Sequence, residues 1–188
     1  MKLPLSVNIA IGFAPYIAFF LGMRLISVVA GLWGAVAIAI VIVARGRVAG
    51  GSMKFLEIGG VLLFAALAAF TTVARFDWTV MSVRLVVDAG LLAIILASLA
   101  VGQPFTMQYA RERVAKEVWG HPLFKSVNRD ITLGWAAAFA VLVVAHAGNV
   151  FGWGVPVAAD IAVTVFVLAA AIRFSTWYPA FARKKAGL

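Results

Sequence analysis

The chain contains no cysteine, so it offers no disulfide framework, no thiolate metal site and no catalytic thiol in any compartment. Acidic residues are scarce, seven among 188, and only two histidines are present. The reaction motifs that rely on such residues are missing too. There is no His-Glu-x-x-His, no Gly-x-Ser-x-Gly, no phosphate-binding glycine loop closed by Lys-Ser/Thr and no paired Asp-rich motif for Mg²⁺ and a diphosphate. Hydrolase, NTPase and prenyl-transfer mechanisms therefore have no residues to run on. His121 and His146 fall at very different depths, which argues against a haem held between two histidines. No metal and no cofactor is expected, and the absence of a catalytic motif leans the reading away from an enzyme.

What is present is apolar: 64% of the residues are hydrophobic and 12% charged, a balance from which no water-facing surface of this size can be built. Several runs approach the ~20 residues a helix needs to cross hydrocarbon. The pattern predicts an all-α integral membrane protein, a single polytopic domain over 1–188, with spans near 5–23, 25–44, 55–74, 79–103, 131–148 and 157–177. Lys2 leads into an apolar run with Pro4 and Pro15 and no small-x-small cleavage pattern, so this run is read as a retained first helix. Between spans four and five, segment 104–130 is polar. Met107, Ala110, Val114 and Val118 recur there at helical spacing with Gln108, Glu112 and Lys116 opposite, which predicts a short amphipathic surface helix. Asp130, just before Ile131, is expected to cap the fifth span.

Orientation follows from the cations. Thirteen of the sixteen lie at Lys2, in 45–54, in 104–130 and at the C-terminal end, against Arg24, Arg75 and Arg84 on the other face. The richer face is assigned to the cytoplasm, with both termini there. The net charge of +9 is explained by topology and anionic headgroups rather than by nucleic acid, and Arg111, Arg113, Lys116 and Lys125 are the expected headgroup contacts. Residues 33–41 also resemble 135–143, and 57–61 match 160–164 at nearly the same offset. Three spans per half would make inverted repeats, although Ala/Val/Ile-rich helices also align by composition alone.

Ionisable side chains inside a membrane are costly and become functional candidates. Asp88, His146 and Asp160 lie near one level on spans four, five and six, a polar intramembrane site able to hold a proton, a cation or a polar ligand group. The competing reading is local: Arg84, four residues before Asp88, would neutralise it, and Asp160 would only favour the first turn of its helix. Glu57 and Arg173 could form an intramembrane ion pair, unless Lys54 supplies Glu57 with a partner. His121, Asn128 and Asn149 read as interfacial or helix-end residues.

Gln103-Pro104-Phe105 after an apolar span, a basic segment, then Asn128 and Thr132-Leu-Gly-Trp135-Ala-Ala-Ala-Phe139 running to Asn149 resemble the intracellular septation protein A family of bacterial inner-membrane proteins. Pro15 followed by aromatics adds to the likeness, which covers about half the chain. The sequence departs from that family at Thr79–Arg84, where a Lys-x-Lys-Pro segment is usual, and in its alanine-rich sixth span. The resemblance implies a non-enzymatic role in cell-envelope biogenesis or septation through membrane-protein partners, in the bacterial inner membrane, with no catalytic residue to carry over. Two alternatives stand beside it: a small proton-coupled transporter or channel built from two inverted three-helix halves and acting as a homodimer, and a membrane-embedded enzyme acting on a lipid. Convergence of Asp88, His146 and Asp160 on one pocket would favour the alternatives.

Overall fold

A computed structural model describes residues 11–187 of the chain. The described residues are helical, with no strand, in seven helices. They are α1 (Ala14–Leu25), α2 (Val28–Val48), α3 (Phe55–Ala74), α4 (Val80–Ala100), the short α5 (Phe105–Arg111), α6 (Pro122–Val150) and α7 (Val157–Lys185). Five of these, α2, α3, α4, α6 and α7, are long and apolar enough to cross a membrane. Large apolar side chains point outward all along them, among them Val73, 84% exposed, and Phe166, 75% exposed. Water would not tolerate so many; hydrocarbon favours them. The protein is an all-α membrane protein.

Neighbours in sequence pack as neighbours in space: α1 on α2, α2 on α3, α3 on α4, α4 on α6 and α6 on α7. Local chemistry sets the boundaries. The Ser27 hydroxyl accepts from the Ala30 amide at 3.1 Å to start α2, and the Thr79 hydroxyl accepts from the Ser82 amide at 3.1 Å to start α4, each satisfying an orphan donor of a first turn. The expected break at Gly22-Met23-Arg24 instead falls at Ile26-Ser27. Gly22 lies within α1 for another reason: a Cβ there would sit 2.7 Å from the Gly31 Cα, and one on Gly31 would sit 2.7 Å from the Phe19 carbonyl oxygen. The α1 and α2 backbones touch, as small residues allow in membranes.

Two expectations for segment 104–130 change. The short helix forms, but Phe105 to Ala110 are all buried, so it packs into the bundle rather than floating on the surface. Its polar side is occupied: Gln108 Oε1 accepts from the Phe55 amide at 2.7 Å, capping α3 from outside. The fifth span begins nine residues earlier than predicted, at Pro122, with His121 as its cap accepting from the Leu123 amide at 3.2 Å. Proline in the first turn costs no hydrogen bond, and 29 residues rise ~43 Å, well over a ~30 Å hydrocarbon core, so the first turns stand outside it. Asp130 is therefore no cap. It accepts from the Tyr178 hydroxyl at 2.7 Å.

Phe13 and Thr106 join the start of the short helix to α6, where Phe105, Asn128, Thr132, Trp135 and Phe139 meet. Phe13 stacks on Trp135 at 4.8 Å and on Phe139 at 5.9 Å, while Phe105 meets Phe13 and Trp135 edge-on. The Thr106 hydroxyl lies 2.8 Å from both the Asn128 carbonyl and the Thr132 hydroxyl. By contrast α7 buries few residues, Asp160, Ala171, Ser175 and Ala182. Polar contacts hold much of its length: Asp160 to α4, the Trp135 indole N–H donating to Ser175 at 2.9 Å, and Tyr178 to Asp130.

The glycine contact is testable. Gly31→Leu should force α1 from α2 and cost roughly 1–3 kcal/mol, read as a lower melting temperature in detergent. Gly34→Ala, where a Cβ meets nothing within 4 Å, should leave melting unchanged.

Candidate functional site

Three helices deliver the intramembrane polar groups to one place. Asp88 comes from α4, His146 from near the end of α6 and Asp160 from the first turn of α7. His146 Nδ1 lies 2.5 Å from Asp88 Oδ2, and its Nε2 lies 3.2 Å from Asp160 Oδ1. Arg84 does not neutralise Asp88 along its own helix, as the sequence spacing allowed. It crosses to α7, where Nη1 donates to Asp160 Oδ2 at 2.6 Å and Nη2 donates to the Thr164 hydroxyl at 3.2 Å. Asn149 completes the group by donating to Asp160 Oδ1 at 2.9 Å. Asp160 is 1% exposed, His146 1% and Arg84 5%.

Arg84 and Asp160 form an ion pair, and both ring nitrogens of His146 face carboxylate oxygens, Nδ1 that of Asp88 and Nε2 that of Asp160. Among the described residues, Nε2 is short of a properly directed hydrogen bond, and the Tyr16 hydroxyl, which lines the same cavity, is buried without a partner. Among the described residues no group of three metal-ligating side chains is arranged to hold an ion; the cation between the helices is the Arg84 guanidinium.

Arg84, Asp88, His146, Thr164 and Tyr16 line the polar part of a cavity of about 310 Å³. Its remainder is apolar and aromatic, from Phe13 just before α1, Phe19 and Phe20 on α1, Leu91 on α4, Trp135 and Phe139 on α6 and Leu168 and Ile172 on α7. Helices α1 and α7 both wall it, α1 packing chiefly on α2 and α7 chiefly on α6. The two hydroxyls it holds on α7 are already committed: Thr164 donates to the Asp160 carbonyl at 2.9 Å, and Ser175 donates to the Ala171 carbonyl at 2.8 Å.

A second polar cluster lies at the other end of α3. Lys54, 5% exposed, bonds Glu57 at 3.1 Å and Glu112 at 3.0 Å and lies over the Tyr109 ring at 5.1 Å. The proposed Glu57–Arg173 pair does not form: Glu57 takes Lys54, while Arg173 is exposed on α7. Proximity in sequence wins here, because a cation three residues away needs no second helix. Burial drives the Lys54 ammonium down, but Glu112 and Glu57 outweigh it and hold it above its ordinary value. Burial, reinforced by Glu57 and Glu112, pushes the Tyr109 phenol well above its ordinary value. Of the expected headgroup cations, Lys116 and Lys125 are exposed; Arg113 is half-buried, and so is Arg111, which stacks on Trp119 at 5.4 Å.

Sequence reasoning brought Asp88, His146 and Asp160 to one level and took Asn149 for a helix end. It passed over Tyr16, whose signal was a phenol inside an apolar run. No family model, curated protein or solved structure matches the chain.

Two outcomes are expected. Asp160→Leu strands Arg84 in hydrocarbon and should cost about 3–5 kcal/mol, whereas Arg84→Met combined with Asp160→Leu should recover most of it; thermal unfolding in detergent measures both. Groups whose values rise on folding add stability below their unfolded values and lose it as pH climbs through the folded ones. For Lys54 and Tyr109 that loss should come above about pH 10, with a shallower fall when Lys54→Met and Tyr109→Phe are combined.

Proposed function

We propose that this chain is a small proton-coupled transporter of the bacterial inner membrane, with both termini cytoplasmic, and that Asp88, His146, Asp160 and Arg84 form its proton-carrying centre. The observation that supports this reading above the others is the meeting of three titratable side chains, from helices far apart in sequence, on one cavity. A protein that only docked partners would have no use for a buried imidazole between two carboxylates, since each unpaired charge in hydrocarbon is a standing cost. A lipid-modifying enzyme would need a nucleophile or an activated water. The Thr164 and Ser175 hydroxyls are spent in hydrogen bonds, which counts against that chemistry.

The cavity's makeup suggests the transported class. A polar end with an apolar, aromatic remainder suits an amphipathic molecule with a hydrogen-bonding head. The likeness to the septation protein A family supports an envelope setting for such a molecule. The cation asymmetry of the loops supports the orientation.

Protein reconstituted in vesicles with a trapped pH dye tests the reading. Under an imposed membrane potential the wild type should move protons at least tenfold faster than empty vesicles, and Asp88→Asn should fall to the empty-vesicle rate. Asp88 is the informative position, because its loss leaves the Arg84–Asp160 pair intact. Wild-type flux equal to that of protein-free vesicles would reject the proposal.

A further inference from the structure

The centre at Asp88 is deep. Eight residues along α4 from its outer end at Val80 correspond to ~12 Å of rise, and the opposite face of the membrane is marked by Glu57, two residues into α3. With ~30 Å of hydrocarbon, the two positions differ in depth by about 15 Å along the membrane normal. That interval is not purely apolar. The Tyr16 hydroxyl lines the cavity that holds Asp88 and lies against Gly60 of α3, where an added Cβ would be 3.5 Å away. The Tyr109 hydroxyl lies one turn further toward the α3 start, pressed against Gly12 beside Leu56. Its neighbours in charge are Glu57, Glu112 and Tyr16.

Both hydroxyls are buried and, among the described residues, neither makes a well-directed hydrogen bond. A buried O–H without a partner is uncommon and marks a place for a water or a function. Here two occur in succession, between the two carboxylate clusters, each reached through a glycine that leaves space where a side chain would stand. Glu57 comes within hydrogen-bonding reach of Tyr109, and a bridging water can join groups that stand further apart than one hydrogen bond.

We propose that the hydroxyls of Tyr16 and Tyr109, joined by water, form a proton path between the Asp88–His146 centre and Glu57 at the cytoplasmic face. The proposal rests on the proton-carrying reading of that centre. In each hop a phenol oxygen accepts a proton from one neighbour as it releases its own to the next, so no phenolate or net charge is left in hydrocarbon. Glu57 exchanges the proton with solvent beside Lys54 and Glu112. Neutral phenols suit this role, since burial keeps Tyr109 protonated far into alkaline conditions.

The same dye-loaded vesicles test the path with Tyr16→Phe, Tyr109→Phe and Gly12→Ala. Each phenylalanine variant should reduce proton flux tenfold or more, while ¹⁵N spectra of His146 stay as in the wild type. Removing an unpartnered hydroxyl should leave the melting temperature unchanged or raised, which separates lost conduction from lost fold. Gly12→Ala keeps both phenols but displaces the Tyr109 hydroxyl, and should also slow flux. Wild-type flux in both phenylalanine variants, with Asp88→Asn still inactive, would overturn the path and leave the centre standing. A wild-type protein that moves no protons would overturn both.

Discussion

Hydrocarbon gives a charge nothing to be solvated by, and the bonding of Arg84 to Asp160 is the answer around which the rest of this bundle is arranged. The pair ties α4 to α7 although 76 residues separate them, and it fixes the Asp160 carboxylate where His146 and Asn149 can reach it. Such a pair is weak evidence of stability, since its desolvation cost is comparable with its attraction. Its consequence is geometric. With Arg84 drawn to α7, Asp88 is left without a local cation and turns to the imidazole, so the choice of partner by one arginine creates the centre.

Much of this was legible in the sequence because membranes make composition decisive. The starts of α3, α4 and α7 fall within a residue of their predicted positions, as apolar length and loop chemistry require. Positions where solvent no longer constrains the chain were harder. The α6 start moved to Pro122 since a helix projecting past the headgroups needs no apolar signal, and α5 lost its surface role because Gln108 found an amide to satisfy.

The site divides in the same way. Asp88, His146 and Asp160 could be brought to one depth by counting residues from helix ends. Their pairing could not, because i to i+4 spacing favoured Arg84 with Asp88 and no one-dimensional signal reports a partner on another helix. Glu57 shows the opposite case, where the nearest cation in sequence is the partner in space. Tyr16 and Tyr109 were hidden among aromatics that read as apolar filling, and only the glycines facing them mark their hydroxyls as special.

The touching backbones of Gly22 and Gly31 carry a mechanical consequence. Two helices in such contact cannot shear or rotate past each other without first separating, so the α1–α2 hairpin behaves as a rigid block within the bilayer. Helix α7 meets α6 through side chains, the Phe174 ring on Gly134 and polar contacts at Ser175 and Tyr178, rather than backbone on backbone. Any rearrangement that exposes the cavity must therefore be taken up on the α7 side, with the first hairpin as the fixed frame against which it moves.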